Sequence, residues 1–233
     1  MNSLIINEDS LVGSKQDIGL LKEKTKGKLL VISDSHGSAD ILKKIIHDFG
    51  ADCDALVFCG DGICDLVECL NEASEDERFA ECIPSVVMCA KGNCDADKYP
   101  VNFFEKKEIE NNEKTETKYL NVQPVKTINV AGRTIVVVHG NRQYVDLGTH
   151  VLADLIENMN ADMIFFGHTH QAYRVESGAS LILNPGSCSR PRGGLPPTFA
   201  VVSFPGRTER YDVEFFEIKE TLFSGYSFTS FPF

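Results

Sequence analysis

The 233-residue chain contains no apolar run approaching the roughly 18–20 residues that a membrane-spanning helix needs. That excludes a helical membrane protein. None of its eight cysteines forms a C-x-x-C pair, so zinc ribbons and thioredoxin-like redox motifs lose their usual signature. Basic residues are scarce: Lys and Arg number 23 against 34 Asp and Glu, a net charge of −11. General nucleic-acid binding and docking on an anionic membrane both rest on basic residues, and neither fits this balance. An anionic substrate remains open, provided something local reverses the field. The start, MNSLIINEDSLVGSK, shows no basic stretch followed by an apolar run and a small-residue cleavage site. With Cys59 and Cys89 closing apolar runs as buried thiols, the expected setting is cytoplasmic. No internal repeat and no linker between independent domains is visible.

The hydrophobic fraction, 42%, is ordinary for a globular protein and sufficient for a sizeable core. Residues 1–27 are polar and weakly patterned, and read as an extension, arm or oligomer contact. KLLVIS (28–33) then reads as a strand, and SADILKKIIHDFG (38–50) as a helix with an apolar stripe at Ile41, Leu42, Ile45, Ile46 and Phe49. Ser38 is its expected cap and Gly50 its stop. The plan repeats with ALVFC (55–59), a helix over about 64–79, and PSVVMCA (84–90). This βαβαβ order implies a largely parallel sheet covered by helices. The stretch 105–118 is charged and reads as a solvated insertion, with further extra length near 66–82. YLNVQPVKTINV and RTIVVVHG read as strands, 148–160 as a helix and ADMIFFGHTH as a strand ending in a loop, before a β-rich tail. The main domain is expected over 28–219, with 220–233 as a C-terminal tail. Its expected form is α/β, two sheets packed together with helices outside.

Five apolar strands are followed immediately by metal-ligand residue types. These are Asp34-Ser35-His36, Gly60-Asp61, Gly92-Asn93-Cys94-Asp95, His139-Gly140 and Gly167-His168-Thr169-His170. Each fragment alone has an ordinary structural reading as a turn or a satisfied polar residue. Together they place four of the six histidines beyond strand ends, where α/β sheets bind ligands. His47, on the polar side of a helix, and His150, at a helix start, read as structural. Two carboxylates, one amide and four imidazoles exceed the roughly four ligands of one tetrahedral zinc, which suggests two metals. Mixed N/O ligation suits Mn²⁺, Fe or Zn²⁺. Two divalent ions outweigh the two carboxylates and supply the local reversal of sign. Two metals roughly 3.5–4 Å apart stabilise an in-line displacement at phosphorus.

The order D-x-H … G-D … G-N-x-[ED] … H-G … G-H-x-H resembles the calcineurin-like metallophosphoesterase superfamily. G-N-C-D at 92–95, GHTH at 167–170 and the later Asn184-Pro185-Gly186-Ser187 resemble its short prokaryotic, YfcE-like phosphodiesterase branch. The resemblance spans about residues 28–215. It implies a four-layer α/β/β/α sandwich of two mixed sheets flanked by helices. It further implies that Asp34, His36 and His170 bind one metal, that Asn93, His139 and His168 bind the other, and that Asp61 bridges. A metal-bridging hydroxide would attack phosphorus. Asp61, Asn93, Cys94 and His139 are thereby the candidate catalytic residues, with Mn²⁺ the first choice of cofactor and Zn²⁺, Ni²⁺ or Fe as alternatives.

Two positions depart from the family pattern. Many relatives carry His where this chain has Cys94, and a thiol is the poorer donor to a leaving alkoxide; this favours diester over monoester substrates, with plain packing as the other reading. Asn141 stands where relatives often have His. Asn93, Arg142 and Arg192, with Arg190, are candidate contacts to substrate phosphate. The expected partner is a small phosphate ester, and homo-oligomerisation is open. A metal-dependent phosphomonoesterase is the competing enzyme reading. A non-catalytic scaffold of the same fold ranks lower, because every ligand position is filled.

Overall fold

The computed structural model describes residues 2–102, 118–177, 180–204, 210–222 and 225–233. Strand β3 (Gly27–Ile32) shows how the layers arise. Its side chains alternate, so Leu29 and Val31 face one core and Leu30 and Ile32 another, all fully buried. A strand apolar on both faces must be covered on both. On one side it is covered by α2 (Ala39–Phe49), through Leu42, Ile45 and Ile46, and α3 (Ile63–Glu75), through Leu66 and Leu70. On the other it meets a second sheet.

β4 (Ala55–Phe58) and β5 (Val86–Cys89) run parallel to β3, in register Leu30↔Leu56 and Val57↔Met88. They form the middle of an eight-stranded sheet in the order β1-β2-β5-β4-β3-β13-β14-β15. Its outer strands are β1 (Ile6–Glu8), β2 (Leu11–Val12), β13 (Thr198–Phe204), β14 (Asp212–Thr221) and β15 (Gly225–Phe231). The facing five-stranded sheet has the order β11-β12-β10-β9-β8. Its strands are β8 (Val125–Val130), β9 (Arg133–Val138), β10 (Met163–Phe165), β11 (Ala172–Ser177) and β12 (Ser180–Pro185). Ile135, Val137, Met163, Phe165, Leu181 and Leu183 meet Leu29, Val31, Val57 and Met88 between the sheets. Val136, Ile164 and Phe166 face outward, where Leu152 and Ile156 of α5 (His150–Met159) cover them. Both sheets are mixed, so the architecture is the expected α/β/β/α sandwich. The ribbon of β6 (Lys98–Val101) and β7 (Lys118–Asn121) is additional.

Several local expectations are corrected. Residues 2–27 are built into the fold rather than forming an arm. β2 pairs antiparallel with β5 (Leu11↔Met88), helix α1 (Lys15–Glu23) buries Leu21, and the buried Asn2 side chain donates to the Pro84 carbonyl at 2.8 Å. The open edge of β5 needs a hydrogen-bonding partner, and two apolar residues suffice to supply it. The end of the chain is likewise not a tail. β15 pairs with β14 along its length, and the Tyr226 hydroxyl donates to Asp40 Oδ2 of α2 at 2.8 Å. The helix expected over 64–79 is two, because Asp76 caps α4 (Glu77–Ala80) by accepting from the Arg78 N–H at 2.9 Å. The 66–82 segment thus supplies core residues, including Leu66, Leu70 and Phe79. Ser38 precedes α2 but makes no side-chain cap bond. The charged stretch 105–118 lies outside the described residues except for Lys118, which opens β7.

Candidate metal centre

Three adjacent strands of the large sheet and two of the small one end on the same side of the sandwich. Asp34 and His36 follow β3, Asp61 follows β4, and Asn93 to Asp95 follow β5. His139 follows β9, and His168 and His170 follow β10. Two groups of ligand-type atoms, Asp34–His36–His170 and Asp34–Asp61–His139, each lie within 4.8 Å. His36 Nε2 lies 3.0 Å from His170 Nε2, and His170 Nε2 lies 3.3 Å from Asp34 Oδ1. His139 Nε2 lies 3.3 Å from Asp61 Oδ2 and 4.0 Å from Asp34 Oδ1.

Four of the inward atoms, those of Asp34, Asp61, His139 and His170, are aimed by a bond made on the other side of the same group. Ser33 Oγ–H (2.6 Å) and the His168 N–H (3.1 Å) occupy Asp34 Oδ2, leaving Oδ1 facing the centre. The Cys94 N–H holds Asp61 Oδ1 at 2.7 Å, leaving Oδ2. His139 Nδ1 lies 2.8 Å from the Cys59 carbonyl and His170 Nδ1 lies 2.6 Å from that of Arg190, so the Nε2 atoms face inward. Asp34 Oδ1 and His139 Nε2 are buried polar atoms with no hydrogen-bond partner. Native interiors rarely leave such atoms unpaired, and the place of a bound ion is one standard reason. Carboxylates and imidazoles with in-facing lone pairs, most of them braced from behind, are the donor set of a divalent transition-metal site.

The charges respond to this crowding. Burial acts to raise Asp61, but the nearby His139 ring and the Cys94 N–H outweigh it and hold the carboxyl well below its usual range. Burial acts to lower His139, but Asp61 and Asp34 outweigh it and raise the ring above its ordinary value. At His36 burial wins over Asp34 and Asp61 and lowers the ring, helped by His170 and Arg190.

The remaining expected residues divide. His168 is not in either ligand group; its Nε2 lies 3.0 Å from Asp146 Oδ2, while its ring packs edge-on to His139 at 5.2 Å. The exposed Asn93 turns its amide to Cys94 Sγ at 3.3 Å. Cys94 Sγ itself lies within 4.8 Å of ligand atoms of His36 and Asp61, where burial and then Asp61 push the thiol above its ordinary range. That places a third donor type beside the expected N/O set. Arg190 reaches the site, its guanidinium donating to the His36 carbonyl at 3.2 Å. Arg142 is exposed and its charge is felt by Asp97; Arg192 is exposed and its backbone N–H donates to the His170 carbonyl at 3.0 Å.

Three supports escaped the sequence reading. Asp95 accepts from the backbone N–H groups of Asp61 (2.8 Å), Gly62 (3.0 Å), Ile63 (2.9 Å) and Gly92 (2.8 Å), locking the loop that presents Asp61. Asp65 takes the Ser35 hydroxyl (2.5 Å) and the Gly37 N–H (2.9 Å). The third is Asp146 behind His168. The fixed Asp in G-N-C-D was the available signal for the first; nothing near Asp65 or Asp146 marks the others. Gly92 is required because a Cβ there would run into the Asp61 carboxylate and backbone.

A four-layer α/β/β/α sandwich with these ligand types at five strand ends defines the metallophosphoesterase class. Residues 28–206 match the family model of the calcineurin-like phosphoesterase superfamily domain, and the chain belongs to that family. It is 27% identical to the probable metallophosphoesterase YsnB of Bacillus subtilis strain 168, over 75% of this chain and 83% of that protein. It is 25% identical to the phosphodiesterase YfcE of Escherichia coli K12, over 75% and 86%. Its fold is similar to that of a Streptococcus pneumoniae TIGR4 protein described as a predicted phosphoesterase, with a TM-score of 0.59, 21% identity and coverage of 89% and 99%. The chain is a phosphoric ester hydrolase of a metal-dependent family.

Proposed function

We propose that this hydrolase is a dinuclear phosphodiesterase acting on small phosphate esters. The observation that carries the reading is the pair of buried, unpartnered atoms, Asp34 Oδ1 and His139 Nε2, 4.0 Å apart, with Asp61 Oδ2 3.3 Å from the latter. Asp34, His36 and His170 would hold one ion, His139 with Asn93 and His168 the other, and Asp61 would lie between them. Divalent ions there supply the positive charge that draws a phosphate into an acidic protein, and they acidify the attacking water. The mixed imidazole and carboxylate donors favour Mn²⁺ as the first metal to test. The chain's own residues do the rest. Asp61 stays ionised at any working pH, Arg190 stands ready for a phosphate oxygen, and Cys94 sits where an ester leaving group would emerge. As a neutral thiol Cys94 protonates a leaving alkoxide less well than an imidazolium, which favours diesters. Eight unpaired thiols suit a reducing compartment, and we read the protein as cytoplasmic.

The test is Mn²⁺-dependent hydrolysis of bis(p-nitrophenyl) phosphate beside p-nitrophenyl phosphate. The diester should be the faster substrate, and Asp61→Ala and His168→Ala should each lose at least about 100-fold. Normal turnover by either variant would contradict the assignment, and a faster monoester would favour the phosphomonoesterase reading.

A further inference from the structure

A cleft of about 330 Å³ opens beside the metal centre. Its apolar side is Phe166, Val145 and Tyr173, with Phe166 and Tyr173 rings edge-on at 6.1 Å. Its polar side is Asp146, Thr149 and Gln171, and Thr149 Oγ1 and Tyr173 Oη are 3.3 Å apart. Asp146 belongs to both places: it lines the cleft, and its Oδ2 lies 3.0 Å from His168 Nε2. The cleft therefore begins where the metal-facing histidines end. Tyr144 and Leu147, on the turns that carry Val145 and Asp146, are 66% and 81% exposed.

We propose that this cleft binds the ester group of the substrate and selects an uncharged, ring-bearing group with hydrogen-bond donors on its edge. The inference rests on the phosphoesterase reading of the adjacent centre. A phosphate ester seated at the centre beside His168 would meet the cleft at Asp146, whose Oδ2 lies 3.0 Å from that ring. The cleft falls within the size range of small-molecule sites and combines apolar walls with a few fixed polar groups. Among the described residues no Lys, Arg or His lines it, and Asp146 repels a second phosphate or carboxylate while accepting from a hydroxyl or amine. The partly exposed ring of Tyr173, over a floor formed by the buried Phe166, suits a planar ring.

Calorimetry on the Mn²⁺-loaded full chain separates this from turnover, using phenylphosphonate and methylphosphonate as non-hydrolysable probes. Methylphosphonate sets the baseline for the metal centre. The wild type should bind phenylphosphonate about tenfold more tightly. Thr149→Trp, which fills the cleft, and Tyr173→Ala, which removes a wall, should both bring that ratio close to one. A ratio near one in the wild type, or one that survives both variants, overturns the proposal. A wild type that shows the expected ratio yet cleaves no diester would overturn the diester reading alone and leave the subsite standing.

Discussion

Asp34, His36, Asp61, His168 and His170 all adopt left-handed backbone, with φ between 45° and 67°. Each costs about 1–2 kcal/mol in a residue with a side chain, so the fold holds these side chains where they aim, against their own preference. Such strain concentrates at functional sites. The ligand types were legible in the sequence because Asp and His directly after apolar runs are conspicuous. Their conformation was not: Asp and His enter the left-handed region more often than most residues, but too seldom for their presence alone to announce it. The pairing of His168 with Asp146 was equally hidden, because the two residues lie in different loops. Charge at this scale has a measurable consequence. His139 is raised, so its protonated form stabilises the metal-free fold; that contribution is complete below about 6.5 and is lost as pH rises through the folded value. His36 is lowered, so its contribution is present above about 6.5 and is lost as pH falls through its folded value. From these two groups, the Tm of the metal-free protein should peak near pH 6.5. Metal binding needs neutral rings, so the gain in Tm from Mn²⁺ should grow from pH 6 to pH 8. A gain that shrinks over that interval contradicts the account.

Elements were legible wherever apolar periodicity ran long enough. β3, β4, β5, α2 and α5 all fall within a few residues of their expected places, because each is wholly or half buried and its pattern records that burial. β2 has only Leu11 and Val12 to show, and β15 mixes Ser and Thr among its aromatics, so neither stands out as a strand. The loop after β4 depends on Asp95, which replaces a helix cap and a turn bond at once. Asp95→Ala leaves up to four backbone N–H groups without their acceptor. It should cost about 3 kcal/mol and weaken Mn²⁺ binding about 10–100-fold, read by denaturant unfolding and by calorimetry. Unchanged Mn²⁺ affinity would show that the loop holds Asp61 without it.

At the scale of the whole molecule, the N-terminal residues ahead of the family-matched region complete the large sheet. Leu11, Val12 and Leu21 are each about 2% exposed or less, and burying such side chains is worth about 1.5–3 kcal/mol apiece. Deleting residues 1–26 should lower Tm by about 10 °C or more and promote association through the bared edge of β5. An unchanged Tm and a monodisperse truncated protein would restore the view of this segment as an arm. The net charge of −11 belongs to this scale too. It opposes anionic partners over the surface in general, and cations held by Asp34, Asp61 and the histidines would reverse the sign at the centre. The most direct test of the central claim is a Mn²⁺ titration of the metal-stripped wild type, following bound metal and hydrolysis of bis(p-nitrophenyl) phosphate together. The account predicts two ions per chain and turnover that appears as they fill. A protein that takes up no Mn²⁺ and stays inert would contradict it.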